Sequence, residues 1–154
     1  MDIPSTDSDA VSPVRHKTPS DVHLLLRRGE SVLFGQRQNT GFEDGAWHVP
    51  SGHVEAGESV VGALVREAEE EIGVVIAPEN VRFSHIMHNS SGGGRVAFFF
   101  TVTRWAGEPV NRELGKCTEL QWFESDALPD RMVDYCRVAI RQIADGSMFS
   151  TYGW

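Results

Sequence analysis

Four acidic side chains crowd the end of one short segment, "GHVEAGESVVGALVREAEEEIGV", residues 52 to 74: Glu67, Glu69, Glu70 and Glu71. The segment reads as a helix from about Ser59 to Ile72, with Gly73 placed as a C-cap glycine. The last turn of a helix carries partial negative charge and prefers cations, and like charges three or four residues apart repel, so this run opposes both tendencies. At about 100° per residue, with Glu67 set at zero, Glu71 falls about 40° to one side and Glu70 about 60° to the other. Three carboxylates therefore share one narrow face, while Glu69 points away. Val61, Leu64, Val65, Ala68 and Ile72 fill the neighbouring sector, so the acidic face borders the buried one. Carboxylates converging beside a core are costly unless a positive charge sits among them. Hard oxygen ligands of this kind suit Mg²⁺ or Mn²⁺, and magnesium is commonly held by one or two carboxylates while waters and phosphate oxygens fill the other positions. The plainer reading of the same run is a solvated, Glu-rich helix end.

The spacing decides between them. Gly52, five residues, Glu58, seven residues, and then Arg66 to Val74 follow the pattern G-x5-E-x7-R-E-U-x-E-E-x-G-U, where U is a bulky aliphatic residue. In this the chain resembles the Nudix hydrolases. The small Ala68 at the first U is a mild departure that affects packing more than chemistry. The resemblance implies a loop-helix-loop box on an α/β/α sandwich with a mixed sheet, and an enzyme that cleaves a diphosphate linkage to release a nucleoside monophosphate or an equivalent phosphate. By position it implies that Glu67, Glu70 and Glu71 hold divalent cations, Mg²⁺ first and Mn²⁺ second, with help from the backbone carbonyl of Ser51. Arg66 would orient the glutamates, Glu58 would brace the box, and Gly52 and Gly73 would allow its sharp turns. A metal that bridges phosphate oxygens makes hydroxide available near neutral pH, and a glutamate not fully used in coordination can take the water's proton. Glu67 is the first choice for that base and Glu70 the second.

The resemblance extends from about Leu24 to Pro129. "NTGFEDGAWHVPSGHVEAGES" resembles the bacterial MutT-like branch, and "NRELGKCTELQWFESDALP" resembles a stretch of nucleoside triphosphate pyrophosphatases. The second stretch implies Glu113 as a further acidic group near the metals, with Glu119 as its rival; Leu114 and Leu120 depart from the usual proline and aromatic there. Arg37 is a candidate for a fixed bidentate phosphate donor. Phe42 and Trp47 are candidates for stacking on a base, against the alternative that they cover the core. The segment after "LP" makes Asp130 to Met132 candidates for reading the base. His48, His53, His85 and His88 have no zinc spacing and read as ordinary hydrogen-bonded histidines. The expected substrate is a nucleoside triphosphate, with ADP-ribose, sugar-nucleotide and isoprenoid diphosphate as variants. A regulatory module that binds nucleotide without turnover is the rival class, which loss of box glutamates would favour and this sequence does not show.

The elements that must position these groups fit one domain of 154 residues. Residues 1 to 20, rich in Ser, Asp and Pro, read as a mobile tail, and the domain is expected over 21 to 154. "VHLLLRR" and "SVLFGQR" read as strands joined at Gly29-Glu30; "VRFSHIMH" and "RVAFFFTVTRW" flank the glycine-rich "NSSGGG" as a hairpin; "ELQWFE" reads as a strand. Tyr135, Val138, Ala139, Gln142 and Ile143 recur at helical spacing in a closing helix. A formal charge of -8 argues against a duplex-binding protein, so an anionic ligand needs a metal or a few placed arginines. No run reaches the roughly 20 apolar residues of a membrane span. Two cysteines, Cys117 and Cys136, read as reduced thiols in a cytoplasmic setting. Homodimers occur in the family, although no exposed apolar stripe marks an interface.

Overall fold

The computed structural model describes residues 13–154, so most of the expected tail, residues 1–12, lies outside the described residues. The first strand, β1 (Ser20–Arg28), is buried continuously from Val22 to Leu26, as a strand covered on both faces must be. The positive φ of Gly29, 61°, turns the chain into β2 (Ser31–Arg37), which runs antiparallel to the end of β1. Two short strands follow, β3 (Trp47–His48) against β2 and β4 (Ser51–His53) against the start of β1. Helix α1 (Val60–Ile72) starts at Ser59, whose side chain accepts from Gly62 N–H, and ends at Gly73 in the left-handed region. The hairpin of β5 (Arg82–Asn89) and β6 (Arg95–Val102) comes next, then β7 (Cys117–Glu124), α2 (Asp134–Ala144) and β8 (Phe149–Tyr152).

β1 pairs in parallel with β6, and β5 with β8, while the other pairings are antiparallel, so the sheet is mixed. Alternate residues of the strands point to opposite faces and build two cores. One core joins Val22, Leu24, Leu26, Phe100 and Val102 to Ala63, Leu64, Ala68 and Ile72 of α1. The other joins Leu25, Phe34, Met87 and Phe99 to Cys136, Ala139 and Ile140 of α2. The result is an α/β/α sandwich. Each large apolar side chain so buried contributes about 1.5–3 kcal/mol relative to exposure.

Sequence periodicity placed the major elements and overran some ends. The second hairpin strand stops at Val102 rather than Trp105, and the strand expected at 119 begins at Cys117. On α2 the buried stripe is Cys136, Ala139 and Ile140, with Tyr135, Val138 and Ile143 packed beside it. β3, β4 and β8 were not anticipated: strands of two to four residues are too short to show a period and exist because neighbouring strands offer them partners. No helix among the described residues is long and apolar enough to cross a membrane.

Candidate active site

The C-terminal end of α1 is stabilised by the segment that leads from β6 to β7. Val110 N–H donates to the carbonyl of Ile72 and Arg112 N–H to that of Glu71, both at 2.9 Å. The Glu69 carbonyl takes Gly73 N–H at 3.1 Å and faces the Arg112 guanidinium, 3.4 Å away. The helix end thus acquires from elsewhere both the donors and the cation that its own sequence lacks. The same segment carries Glu113 to the acidic face. Burial holds the Glu71 carboxyl well above the ordinary carboxylate range, and the charges of Glu113 and Glu67 push it the same way. Among the described residues the Glu71 carboxyl accepts one hydrogen bond, from Ser51 N–H at 3.2 Å.

Arg66 organises the other carboxylates. Its Nε and Nη2 donate to the two oxygens of Glu58, its Nη1 to Glu67 at 2.8 Å and Glu70 at 3.2 Å, and Nη2 also to the His53 carbonyl. Held by Arg66, Glu58 titrates at about 2. Glu67 remains above its ordinary value because burial outweighs the help of Arg66. It packs directly on Gly52, where a Cβ atom would collide with the Glu67 carboxyl group. Glycine is therefore required there by close approach, since its φ is not in the left-handed region.

These groups form one end of a cavity of about 660 Å³. Glu67, Glu70, Glu71, Glu113, Arg66, Ser51 and Gly52 line it, as do Arg37 and Phe42, whereas Glu58 and Gly73 support it from outside. Arg37 spends Nε on the Phe42 carbonyl and Nη2 on Thr40, and its guanidinium lies 5.3 Å from the Phe42 ring centroid. Trp47, Asp130 and Met132 do not line the cavity. Trp47 and Met132 bridge β3 to the segment before α2 and pack in the α2 core, with the Trp47 ring 5.0 Å from that of Phe123; large apolar groups beside a core are buried by it. Asp130 is exposed, and its carbonyl accepts from Arg137. The rival Glu119 is exposed and away from the cavity.

Sequence reasoning did not single out the other end of the cavity. Tyr135 of α2 sits between two buried histidines, 3.0 Å from His23 Nε2 and 2.7 Å from His48 Nε2. His48 Nδ1 lies 2.5 Å from the Val49 carbonyl and must donate to it, so its Nε2 accepts from the Tyr135 hydroxyl. That hydroxyl then accepts from His23 Nε2–H, which fixes both tautomers. Burial holds both rings neutral, lowering His23 to about 3 and His48 to about 4. Beside them Asp21 accepts from Nε and Nη2 of Arg95, each at 2.6 Å, and lies 2.6 Å from His53 Nδ1. A signal was present in "DVHLLL", where Asp21 and His23 occupy alternate places in an apolar strand. Lys116, which lines the cavity and whose charge acts on Glu71, and Cys117, free and only half-buried on its wall, were also missed. His85 is buried between the Ser147 carbonyl and Ser150 Oγ, as an ordinary structural histidine is.

A family model described as the NUDIX domain matches residues 16–142. The chain is 34% identical over 112 residues to the NAD-capped RNA hydrolase NudC of Pseudomonas aeruginosa, a match covering 69% of this chain and 36% of that protein. It is 41% identical over 83 residues to the 8-oxo-dGTP diphosphatase of Haemophilus influenzae, covering 51% of this chain and 55% of that protein. Both matches span well under two thirds of the relatives' own length. The crystal structure of a MutT NUDIX hydrolase from Burkholderia pseudomallei is similar with a TM-score of 0.74 and 26% identity, covering 82% of this chain and 98% of that one.

Proposed function

The chain belongs to the NUDIX family, and from that premise we propose that it is a hydrolase that uses Mg²⁺ or a similar divalent cation to cleave a diphosphate linkage. Its substrate is a nucleoside triphosphate or another nucleoside diphosphate-linked compound, and a nucleoside monophosphate is released. The observation that carries this reading is the convergence of Glu67, Glu71 and Glu113 on one cavity wall, with Arg66 spread over Glu58, Glu67 and Glu70 and no Lys or Arg bonded to Glu71 among the described residues.

By donor chemistry the set suits a hard divalent cation, although no three acidic, histidine or cysteine side chains among the described residues already stand around one point. Glu67, Glu70 and Glu71 with the Ser51 carbonyl are oxygen donors of the right type, Glu113 stands beside them, and the lack of a Cβ at Gly52 lets the Glu67 carboxyl lie against β4. A bound cation supplies positive charge to phosphate oxygens and lowers the pKa of its water. The chain's own groups do the rest. Arg66 fixes the Glu67 and Glu70 carboxylates in place. Glu67, kept basic by burial, is the first candidate to take the proton of the attacking water, and Glu70 the second. Lys116 and Arg37 bring positive charge to the cavity for the phosphate chain, and the polar end formed by Asp21, Arg95 and Tyr135 is left for the remainder of the nucleotide.

A phosphate-release screen over nucleoside triphosphates, ADP-ribose and nucleotide sugars, with and without Mg²⁺, tests this. Metal-dependent turnover of at least one class is expected, with a loss of at least about 100-fold in Glu70→Gln while the fold is retained. Absence of turnover on every class would favour a nucleotide-binding module, and a fully active Glu70→Gln would remove the metal assignment.

A further inference from the structure

The face of the sheet that receives α2 is largely apolar, with His85 bonded within it and a polar cluster at one end. There Asn89, Arg95, Asp21 and His23 come from three adjacent strands, with Asn89 opposite Arg95 and Asp21 opposite Ala97. Asn89 is 4% exposed and lines the cavity. Its Oδ1 accepts from Ser91 N–H at 3.0 Å, which fixes the orientation of the amide and leaves Nδ2 without an acceptor among the described residues. Arg95 commits Nε and Nη2 to Asp21, and its Nη1, beside Gly92, is likewise without an acceptor among the described residues. Among the described residues the buried side-chain polar atom left without a partner is His23 Nδ1, on the same cavity wall, whereas the Asn89 and Arg95 donors reach the cavity itself, where an acceptor on a ligand can meet them. Asp21 neutralises the guanidinium, so this end suits an uncharged group, unlike the end that carries Lys116 and Arg37. Ala97, small and between the two donors and His23, leaves a floor on which a flat ring can rest.

We propose that Asn89, seconded by Arg95, determines specificity for the base of the substrate: its amide N–H donates to a ring carbonyl oxygen and selects keto-bearing bases over those with an exocyclic amine at the same edge. Guanine, hypoxanthine and uracil offer such an oxygen, whereas adenine and cytosine put a donor there. The inference rests on the nucleotide-hydrolase reading of the cavity. Asn89→Asp is nearly isosteric and keeps the acceptor for Ser91 N–H, and it exchanges the donor for a charged acceptor.

The test compares kcat/KM for GTP, ITP and UTP with that for ATP and CTP, alongside calorimetric titration of GMP and AMP without metal. Wild-type protein is expected to favour the keto bases, and Asn89→Asp to reduce that preference by at least about tenfold, chiefly through KM. Asn89→Ala should lower it similarly, and its melting temperature reports the loss of the Ser91 contact. A wild type that hydrolyses all five alike, or an Asn89→Asp variant with the preference intact, overturns the proposal and leaves the hydrolase reading in place. If none of the five triphosphates is hydrolysed and neither GMP nor AMP binds, this proposal fails, and the phosphate-release screen over ADP-ribose and nucleotide sugars decides the hydrolase reading separately.

Discussion

Arg66 and Glu58 meet as a two-pronged fork, Nε to Oε2 at 3.0 Å and Nη2 to Oε1 at 2.6 Å, and this leaves Nη1 to bridge Glu67 and Glu70. One planar cation therefore fixes three carboxylates, which a lysine ammonium cannot reproduce. Arg66→Lys is expected to remain folded but to lose about 10- to 100-fold in activity or metal affinity, as supporting groups around metal ligands generally do. Steady-state kinetics across a Mg²⁺ titration measures this; unchanged kinetics would remove the orienting role.

Gly52→Ala places a methyl group where the Glu67 carboxyl lies. Glu67 must move or β4 must shift, at a cost of about 1–3 kcal/mol for overpacking. The variant should melt earlier and lose most of its turnover, and Gly57→Ala, in open space but at φ 82°, separates backbone strain from collision. Full activity in Gly52→Ala would contradict the packing of Glu67 on this residue.

Metal should stabilise the protein. Glu71 is buried among like charges, and a cation that binds only the folded state raises stability by about 2.7 kcal/mol at 100 times its Kd. Differential scanning fluorimetry should show a rising Tm with Mg²⁺ in the wild type and a much smaller rise in Glu71→Gln. Equal shifts in the two proteins would place the binding elsewhere.

The buried histidine pair predicts acid lability. His23 and His48 titrate near 6.5 when unfolded and at about 3 and about 4 when folded. Below 6.5 the unfolded chain takes up protons that the native one refuses, so the stability the pair contributes is complete above that pH and is lost as the pH falls towards 4. Each histidine adds about 1.4 kcal/mol per pH unit inside the window. Urea unfolding from pH 7 to 4.5 measures the slope. Tyr135→Phe, which strips both rings of their shared partner, should lower stability at pH 7 by about 1–3 kcal/mol; no change would mean that the hydroxyl is not holding them.

The acidic box was legible because a helix has a period: angular placement alone put Glu67, Glu70 and Glu71 on one face and sent Glu69 away. α1 was bounded correctly because its signals, Ser59 and Gly73, are local. The far end of the cavity is built by strand pairing instead, with Asn89, Arg95, Asp21 and His53 brought together over as many as 74 positions of sequence separation. No spacing rule reaches that far. Trp47 and Met132 show the opposite error, since an aromatic or methionine on a loop looks the same in sequence whether it faces ligand or core.

The hydrogen bonds from Val110 and Arg112 to the last carbonyls of α1 make the segment between β6 and β7 a ruler. Its first residues are tied to the helix end and its last enter β7, so the position of Glu113 is set by the number of residues between these anchors, with the Asn111 side chain clamping the turn from Glu113 N–H to the Cys117 carbonyl. Replacing side chains other than Asn111 leaves that spacing intact, but deleting one residue would slide the carboxylate out of register with Glu71.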